Sequence, residues 1–167
     1  MKKIISITIG LLTFCVYSAQ NNSQNTQLNF NNSTFFQKAP NTNVYLIPPK
    51  YFETDSTING YIHKGSMATI QITEVPNVAI ADFEKKMTEK YFISQGYIFK
   101  NKTNLKLDNG KIALLYFVQY KTEEFDYERI MFFVDSNEKM LWINVTYPFI
   151  MKKLLDNVIE NSLKSVQ

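Results

Sequence analysis

The stretch that decides the fold is residues 111–147, KIALLYFVQYKTEEFDYERIMFFVDSNEKMLWINVTY. It contains three runs of strand-forming residues separated by polar turns: 111–120, 127–135 and 140–147. Within 112–118 and 130–134 the residues are apolar at both odd and even positions. Because successive side chains of a strand point to opposite faces, both faces of the sheet centre must be covered.

Further strands are predicted on the N-terminal side of this stretch, at 44–47, 61–63, 67–74 and 97–107. Pro48-Pro49 stops the first of them, which favours an edge strand. The second and third are close enough in the chain to form a hairpin. The fourth ends at Asn109-Gly110, a pair typical of a tight hairpin turn.

Two helices are predicted to cover the sheet. The first begins at an Asn77 N-cap, carries a stripe of Ile80, Phe83, Met87 and Tyr91, and ends at Gly96. The second follows Pro148, with an apolar side formed by Met151, Leu154, Leu155, Val158, Ile159 and Leu163. The predicted fold is α+β: a mainly antiparallel sheet of six to seven strands with helices on both faces, an α/β/α sandwich.

The first nineteen residues are typical of a secretory signal peptide. Lys2 and Lys3 precede an apolar stretch, and Ser18-Ala19 supplies small side chains for cleavage after Ala19. The apolar stretch is shorter than the roughly 20 residues of a stable membrane span. Cys15 raises the alternative of lipid attachment, but Phe14 stands where lipoprotein processing prefers a small residue. We therefore expect export to the periplasm or the extracellular space.

Removal of the signal peptide changes what chemistry the chain can perform. The formal charge falls from +3 to +1, and Arg129 is the only arginine, so we expect no nucleic-acid partner. Cys15 is the only cysteine, so no thiol nucleophile, disulfide or thiolate metal site is expected.

The remaining chain divides into two parts. Residues 20–43 are dominated by Asn, Gln, Ser and Thr, a composition that predicts a flexible leader. Residues 44–167 are long enough for one domain.

Short signatures along the domain resemble the Mog1/PsbP-like family. The signatures are Leu46-Ile47-Pro48-Pro49-Lys50 with Phe52, Gly60-Tyr61, Thr73-Glu74-Val75-Pro76, Gly110-Lys111 with Ala113, and Tyr147-Pro148. They span nearly the whole domain, and their order carries the resemblance. It implies an exported bacterial member with a fold used for binding or assembly, and it transfers no active-site residue.

Enzymatic chemistry has little support in the sequence. His63 is the only histidine, so a hydrolase triad would need it as the base, with a serine such as Ser66 as nucleophile and a carboxylate such as Glu74. No nucleophile motif, phosphate loop or dinucleotide fingerprint accompanies them, and we expect no cofactor. Four carboxylates, Glu123, Glu124, Asp126 and Glu128, crowd one hairpin turn but fit no calcium loop, which favours a solvated turn.

Aromatic residues are the remaining positive feature, with thirteen Phe and ten Tyr. Ordinary core packing accounts for most of them, and a speculative contact surface comprises Tyr45, Phe52, Tyr61 and Trp142. The leading hypothesis is a non-enzymatic module that binds a protein partner in the cell envelope. The alternative is a carrier or sensor of a small apolar ligand, and a hydrolase is the third hypothesis.

Overall fold

The computed structural model describes residues 35–136 and 139–167. Its strands are β1 Gln37–Lys38, β2 Tyr45–Leu46, β3 Glu53–Asp55, β4 Gly60–His63, β5 Ala68–Pro76, β6 Ile98–Lys106, β7 Ile112–Lys121, β8 Asp126–Ser136 and β9 Lys139–Pro148. Its helices are α1 Ile80–Glu84, α2 Glu89–Ser94 and α3 Lys152–Lys164, and a 3-10 helix at Phe149–Met151 precedes α3. None of these helices is long and apolar enough to cross a membrane.

Seven strands form one antiparallel sheet in the order β3-β4-β5-β9-β8-β7-β6. β8 and β9 pair along ten residues each, and β7 pairs with β8 along eight. These are the strands of the stretch 111–147, and their neighbour β5 returns along β9. The predicted antiparallel sheet, its strand count and the hairpin of β4 with β5 are confirmed.

Alternate residues of the central strands enter two separate hydrophobic clusters. Ile130 and Phe132 lie in a first cluster with Leu155 and Ile159 of α3, together with residues of β5 and β9. Met131 and Phe133 lie in a second cluster that contains Met87 and Phe92, against which Ile80 and Phe83 of α1 pack. Both faces of the sheet centre are thus covered by apolar side chains, as the double-sided pattern requires. The layer order helix, sheet, helix stays an interpretation of these clusters.

The predicted helix 77–96 is wrong as a single element, because it is divided at Thr88. Asn77 has φ +58° and caps nothing; α1 begins three residues later. Thr88 has extended backbone, and its side chain accepts the N–H of Tyr91, which makes it the N-cap of α2. The interruption moves the buried aromatic from Tyr91, which is exposed, to Phe92. Gly96 follows α2 with φ +80°, as a helix end requires.

The ordered domain begins earlier than Val44. β1 lies within the predicted leader 20–43 and pairs with β2, and Ala39 and Thr42 of the same segment are buried. The Thr42 hydroxyl donates to the Ala39 carbonyl at 3.0 Å and accepts the Val44 N–H, so a local turn satisfies this polar segment. Residues 20–34 of the leader and the predicted signal peptide 1–19 lie outside the described residues.

Candidate functional site

The four aromatic residues of the predicted contact surface do not form one surface. Tyr45 is exposed, but Phe52 and Tyr61 are buried in the first cluster, where burial raises the pKa of Tyr61 to about 12. Trp142 packs against the second cluster, on the other side of the sheet. The reason is strand alternation: Tyr61 of β4 and Trp142 of β9 point to opposite faces.

His63 and Ser66 are neighbours, but Glu74 does not join them. The Nδ1 atom of His63 accepts the Ser66 N–H at 3.0 Å and lies 2.8 Å from the Ser66 hydroxyl. Glu74 pairs with Leu141 in the register of β5 with β9, six residues along β5 from the partner of His63. Its carboxylate binds Lys139 and the Asn43 N–H instead.

Ser66 is also buried, with 3% of its surface exposed, so a substrate could not reach its hydroxyl. The triad of His63, Ser66 and Glu74 is therefore wrong. The contact between the first two residues closes the turn that links β4 to β5.

The four carboxylates of the predicted solvated turn have different environments. Glu123, Glu124 and Asp126 are exposed, but Glu128 is 3% exposed. Glu128 occupies the third position of β8, and the alternation of that strand directs it towards the face on which α3 lies. The expectation of a solvated side chain is therefore wrong for Glu128.

Glu128 belongs to a polar cluster with Lys152, Asp156 and Tyr147. The Lys152 ammonium donates to Glu128 Oε1 at 2.5 Å and contacts Asp156 Oδ2 at 3.0 Å. The Tyr147 hydroxyl donates to Asp156 Oδ1 at 2.8 Å, and Gln119 donates to Glu128 Oε2 at 3.3 Å. One ammonium thus holds two carboxylates beside the hydrophobic core.

The electrostatics of this cluster fix its protonation. Burial lowers the pKa of Lys152, but the hydrogen bonds that its ammonium donates to Glu128 and Asp156 more than offset this effect and hold that pKa above its ordinary value. Burial, with the two carboxylates, raises the pKa of Tyr147 far above its ordinary value. Lys152 therefore stays charged and Tyr147 stays neutral, so the phenol can act only as a hydrogen-bond donor to the carboxylates.

A groove runs beside this cluster, between α3 and the strands β6 and β7. Its middle section, about 400 Å³, is lined by Lys100, Phe117, Gln119, Phe149 and Lys152, among others. The inner section, about 310 Å³, shares Phe117 and Lys152 with it and adds Leu105, Leu115, Ile130 and Leu163. The outer section, about 620 Å³, shares Phe149 and extends over the turn 121–126. We call these three sections together the α3 groove.

The mouth of the α3 groove combines three exposed apolar side chains with the polar turn 121–126. Ile150 is 82% exposed, and Phe125 and Phe149 are also exposed and line the same outer section. Pro148 ends β9, and the 3-10 helix that follows holds Phe149 and Ile150 outside the core. An isolated exposed apolar residue is common, whereas three that line one depression make that depression a candidate contact site.

Sequence reasoning missed this site. The apolar side predicted after Pro148 began at Met151 and included Leu154, which is exposed in the structure. A signal was present, since Phe149 and Ile150 are apolar but precede the helical stripe of Leu155, Val158 and Ile159.

No protein-family model matches the chain, and no curated protein matches it. Solved structures do match. LpqN of Mycobacterium tuberculosis, described as involved in cell envelope biogenesis, is 12% identical with a TM-score of 0.58, over 74% of this chain and 82% of that one. The Ran-binding protein Mog1p of Saccharomyces cerevisiae is 9% identical with a TM-score of 0.55, over 83% and 95%.

A third similar structure is the cyanobacterial PsbP protein, CyanoP, of Synechocystis. It is 11% identical with a TM-score of 0.52, over 79% of this chain and 91% of that one. At such identities the likeness concerns the fold alone, and it agrees with the resemblance carried by the sequence signatures. The chain therefore has the Mog1/PsbP-like fold.

Proposed function

We propose that this chain is an exported, non-enzymatic module that binds a protein partner through the mouth of the α3 groove. The observation that carries the proposal is the exposed apolar trio Phe125, Phe149 and Ile150 lining one depression. Burying a large apolar side chain contributes about 1.5–3 kcal/mol, and one or two such anchors dominate most interfaces. The helix, sheet, helix layer order, which we infer from the two clusters, would make the rim of this groove rigid.

One similar structure supports a binding role and another supports a place in the cell envelope. Mog1p is named as a Ran-binding protein, and LpqN is described as involved in cell envelope biogenesis. The second description also fits export, which rests on the basic, apolar and small-residue order of residues 1–19. We place the mature protein in the periplasm or outside the cell, after cleavage near Ala19.

Charges around the groove mouth indicate the chemistry of the partner. Glu123 and Glu124 are exposed beside Phe125 and take part in no ion pair within the described ranges, whereas Asp126 pairs with Lys121. A partner segment with an apolar anchor and adjoining lysine or arginine residues would satisfy both the trio and these carboxylates. We therefore expect a basic, apolar segment of an envelope protein.

The test is affinity capture from the envelope fraction of the source cells with matched variants. Ile150→Glu places a charge at the groove mouth. Ile112→Glu is the matched control: it places the same charge at a 56% exposed isoleucine at the start of β7, whereas Lys121 at the end of β7 lines the groove mouth. We expect one protein to be captured by the wild type and by Ile112→Glu, and to be lost with Ile150→Glu. Equal capture by both variants would contradict the proposal.

The inner section of the α3 groove favours a second candidate, the carrier or sensor of a small apolar ligand. Its volume of about 310 Å³ and its lining by Leu105, Leu115 and Ile130 suit a small apolar molecule. Native mass spectrometry of protein purified without denaturation would then show an added mass. A spectrum that shows only the mass of the protein without ligand would contradict this candidate, and the protein-binding proposal would remain.

A further inference from the structure

Arg129 lies among three tyrosine rings on the face of the sheet opposite α3. Its guanidinium carbon is 5.6 Å from the ring centroid of Tyr97 and 5.1 Å from that of Tyr120. Tyr120 in turn stacks on Tyr127, with centroids 5.3 Å apart and ring planes 11° from parallel. Phe125 packs against Tyr127 in an edge-to-face arrangement, with ring centroids 6.3 Å apart. The sheet thus presents a row of rings with one cation set into it.

Neutral groups alone hold this cation. The Arg129 Nε–H donates to the Thr146 hydroxyl at 3.1 Å, and one Nη1–H donates to the Tyr97 hydroxyl at 2.5 Å. Burial raises the pKa of Tyr120, so its phenol stays uncharged at neutral pH. In residues 35–136 and 139–167 every ion pair uses a lysine, and Arg129 has no carboxylate partner.

The remaining guanidinium hydrogens point to a binding capacity. A guanidinium carries five N–H donors; Thr146 and Tyr97 accept two of them, and a side-chain hydrogen bond also joins the guanidinium to the Tyr120 hydroxyl. These three acceptors leave two donors for a ligand, and Arg129 is half-buried rather than enclosed. A half-buried cation is ordinarily paired, since leaving water costs free energy that only an anion or strong acceptors recover.

We propose that Arg129 and the rings of Tyr97, Tyr120 and Tyr127 form a binding site for a carboxylate attached to an aromatic or apolar group. The guanidinium fork matches the two oxygens of a carboxylate, and the tyrosine rings beside it supply apolar surface for the body of the ligand. One cation suits a singly charged carboxylate better than a doubly charged phosphate. Arg129 and the three tyrosines lie on the face of the sheet opposite α3, and Phe125 at the end of the ring row also lines the groove mouth. The carboxylate site does not require the proposed function, because its binding groups are Arg129 and the tyrosines.

The carboxylate could belong to a small aromatic acid or to the C-terminus of a peptide. The two sources share the chemistry that the site recognises, and they differ in what surrounds it. Benzoate represents the first source, and N-acetylphenylalanine represents the second. Benzamide has the shape of benzoate without its charge and serves as the control.

The experiment is a nuclear magnetic resonance titration of the ¹⁵N-labelled protein. Because Arg129 is the only arginine in the sequence, its side-chain Nε–H gives a single assignable resonance. We expect benzoate or N-acetylphenylalanine to shift this resonance saturably, with a dissociation constant of about 1–10 mM and at least tenfold tighter than benzamide. The tighter of the two acids identifies the source.

Two variants keep the test decisive. Arg129→Lys keeps the charge but loses the fork and the stacking, and Tyr127→Leu keeps bulk at the end of the ring row but removes the ring. We expect each to weaken binding at least fivefold, followed through the backbone amides of Tyr97 and Tyr120. If Arg129→Lys does not fold, Tyr127→Leu still decides. Absence of saturation with both acids, equal shifts with benzamide, or unchanged binding in Tyr127→Leu would overturn the proposal.

Discussion

Replacing Lys152 with methionine removes the only cation that contacts Glu128 among the described residues. The Lys152 ammonium lies 2.5 Å from Glu128 Oε1, and the Glu128 side chain is 3% exposed. Without the ammonium, a buried carboxylate keeps only the amide of Gln119 and the hydroxyl of Tyr147 as neighbours. The substitution therefore costs more than the loss of one hydrogen bond, because it leaves a charge in a poorly solvated place.

The magnitude follows from the burial of the two partners. Breaking a fully buried ion pair by removing one partner costs about 3–5 kcal/mol. Lys152 is 36% exposed, so water can reach the vacated position and reduce that cost. We expect Lys152→Met to lower the free energy of unfolding by about 2 kcal/mol. With a slope of roughly 2 kcal/mol per molar urea, the unfolding midpoint falls by about 1 M.

Urea unfolding followed by circular dichroism measures this effect against a matched control. Lys153 neighbours Lys152 on α3 but is exposed, and it forms no ion pair within the described residues. Lys153→Met should therefore change stability by less than about 0.5 kcal/mol. The double variant Lys152→Met, Glu128→Gln should lose about 1 kcal/mol less free energy of unfolding than the sum of the losses in the two single variants. Equal stability of the two lysine variants would refute this account of the polar cluster.

Two further predictions concern Gly60 and His63 in the hairpin of β4 with β5. A Cβ at residue 60 would lie 1.8 Å from the Ile70 carbonyl oxygen, so Gly60→Ala should destabilise the fold by about 3 kcal/mol or prevent folding. Gly110→Ala serves as the control, because its Cβ meets no atom within 4 Å and only the φ of +86° is strained, so it should cost about 1 kcal/mol. Equal melting temperatures for the Gly60→Ala and Gly110→Ala variants would contradict the close packing at Gly60. Burial lowers the pKa of His63, so its contribution to stability is fully present above the ordinary value of about 6.5 and is lost as pH falls below that value through the lowered pKa of the folded state. The urea midpoint should fall more steeply between pH 7 and pH 5 in the wild type than in His63→Gln, and parallel curves would show that His63 does not contribute.

The strands could be predicted from the sequence because their pattern is local. Runs such as 130–134 are apolar at every position, and a turn at Asn109-Gly110 marks where one strand ends. Such signals depend on side chains two residues apart along one strand. The sheet order and the registers were not predicted, because pairs such as β5 with β9 join strands that are far apart in the chain.

The errors arise where the deciding interaction is not periodic. A continuous apolar stripe predicted one helix over 77–96, but the side chain of Thr88 caps a second helix. A polar composition predicted a flexible leader to residue 43, but the hydroxyl of Thr42 and the pairing of β1 with β2 order its end. Single hydrogen bonds of this kind leave no trace in hydrophobic patterning.

The candidate site was also beyond the sequence. Glu128 stands in an acidic run with Glu123 and Glu124, and only the pairing of β8 with β9 brings it to Tyr147 and Lys152. In the same way, the sequence counts the aromatic residues but does not assign them to a face, so it does not separate the buried Phe52 and Tyr61 from the exposed Tyr45. The exposed position of Ile150 depends on the 3-10 helix between β9 and α3.

Site-specific photo-crosslinking tests the proposed role of the α3 groove most directly. A benzophenone amino acid placed at residue 150, and in a second variant at residue 112, probes two exposed isoleucines, one in the 3-10 helix at the groove mouth and one at the start of β7. In cells of the source organism, irradiation should join the residue 150 variant to one envelope protein and leave the residue 112 variant unlinked. Identical adducts from both positions, or no specific adduct from residue 150, would contradict a partner bound at the groove mouth.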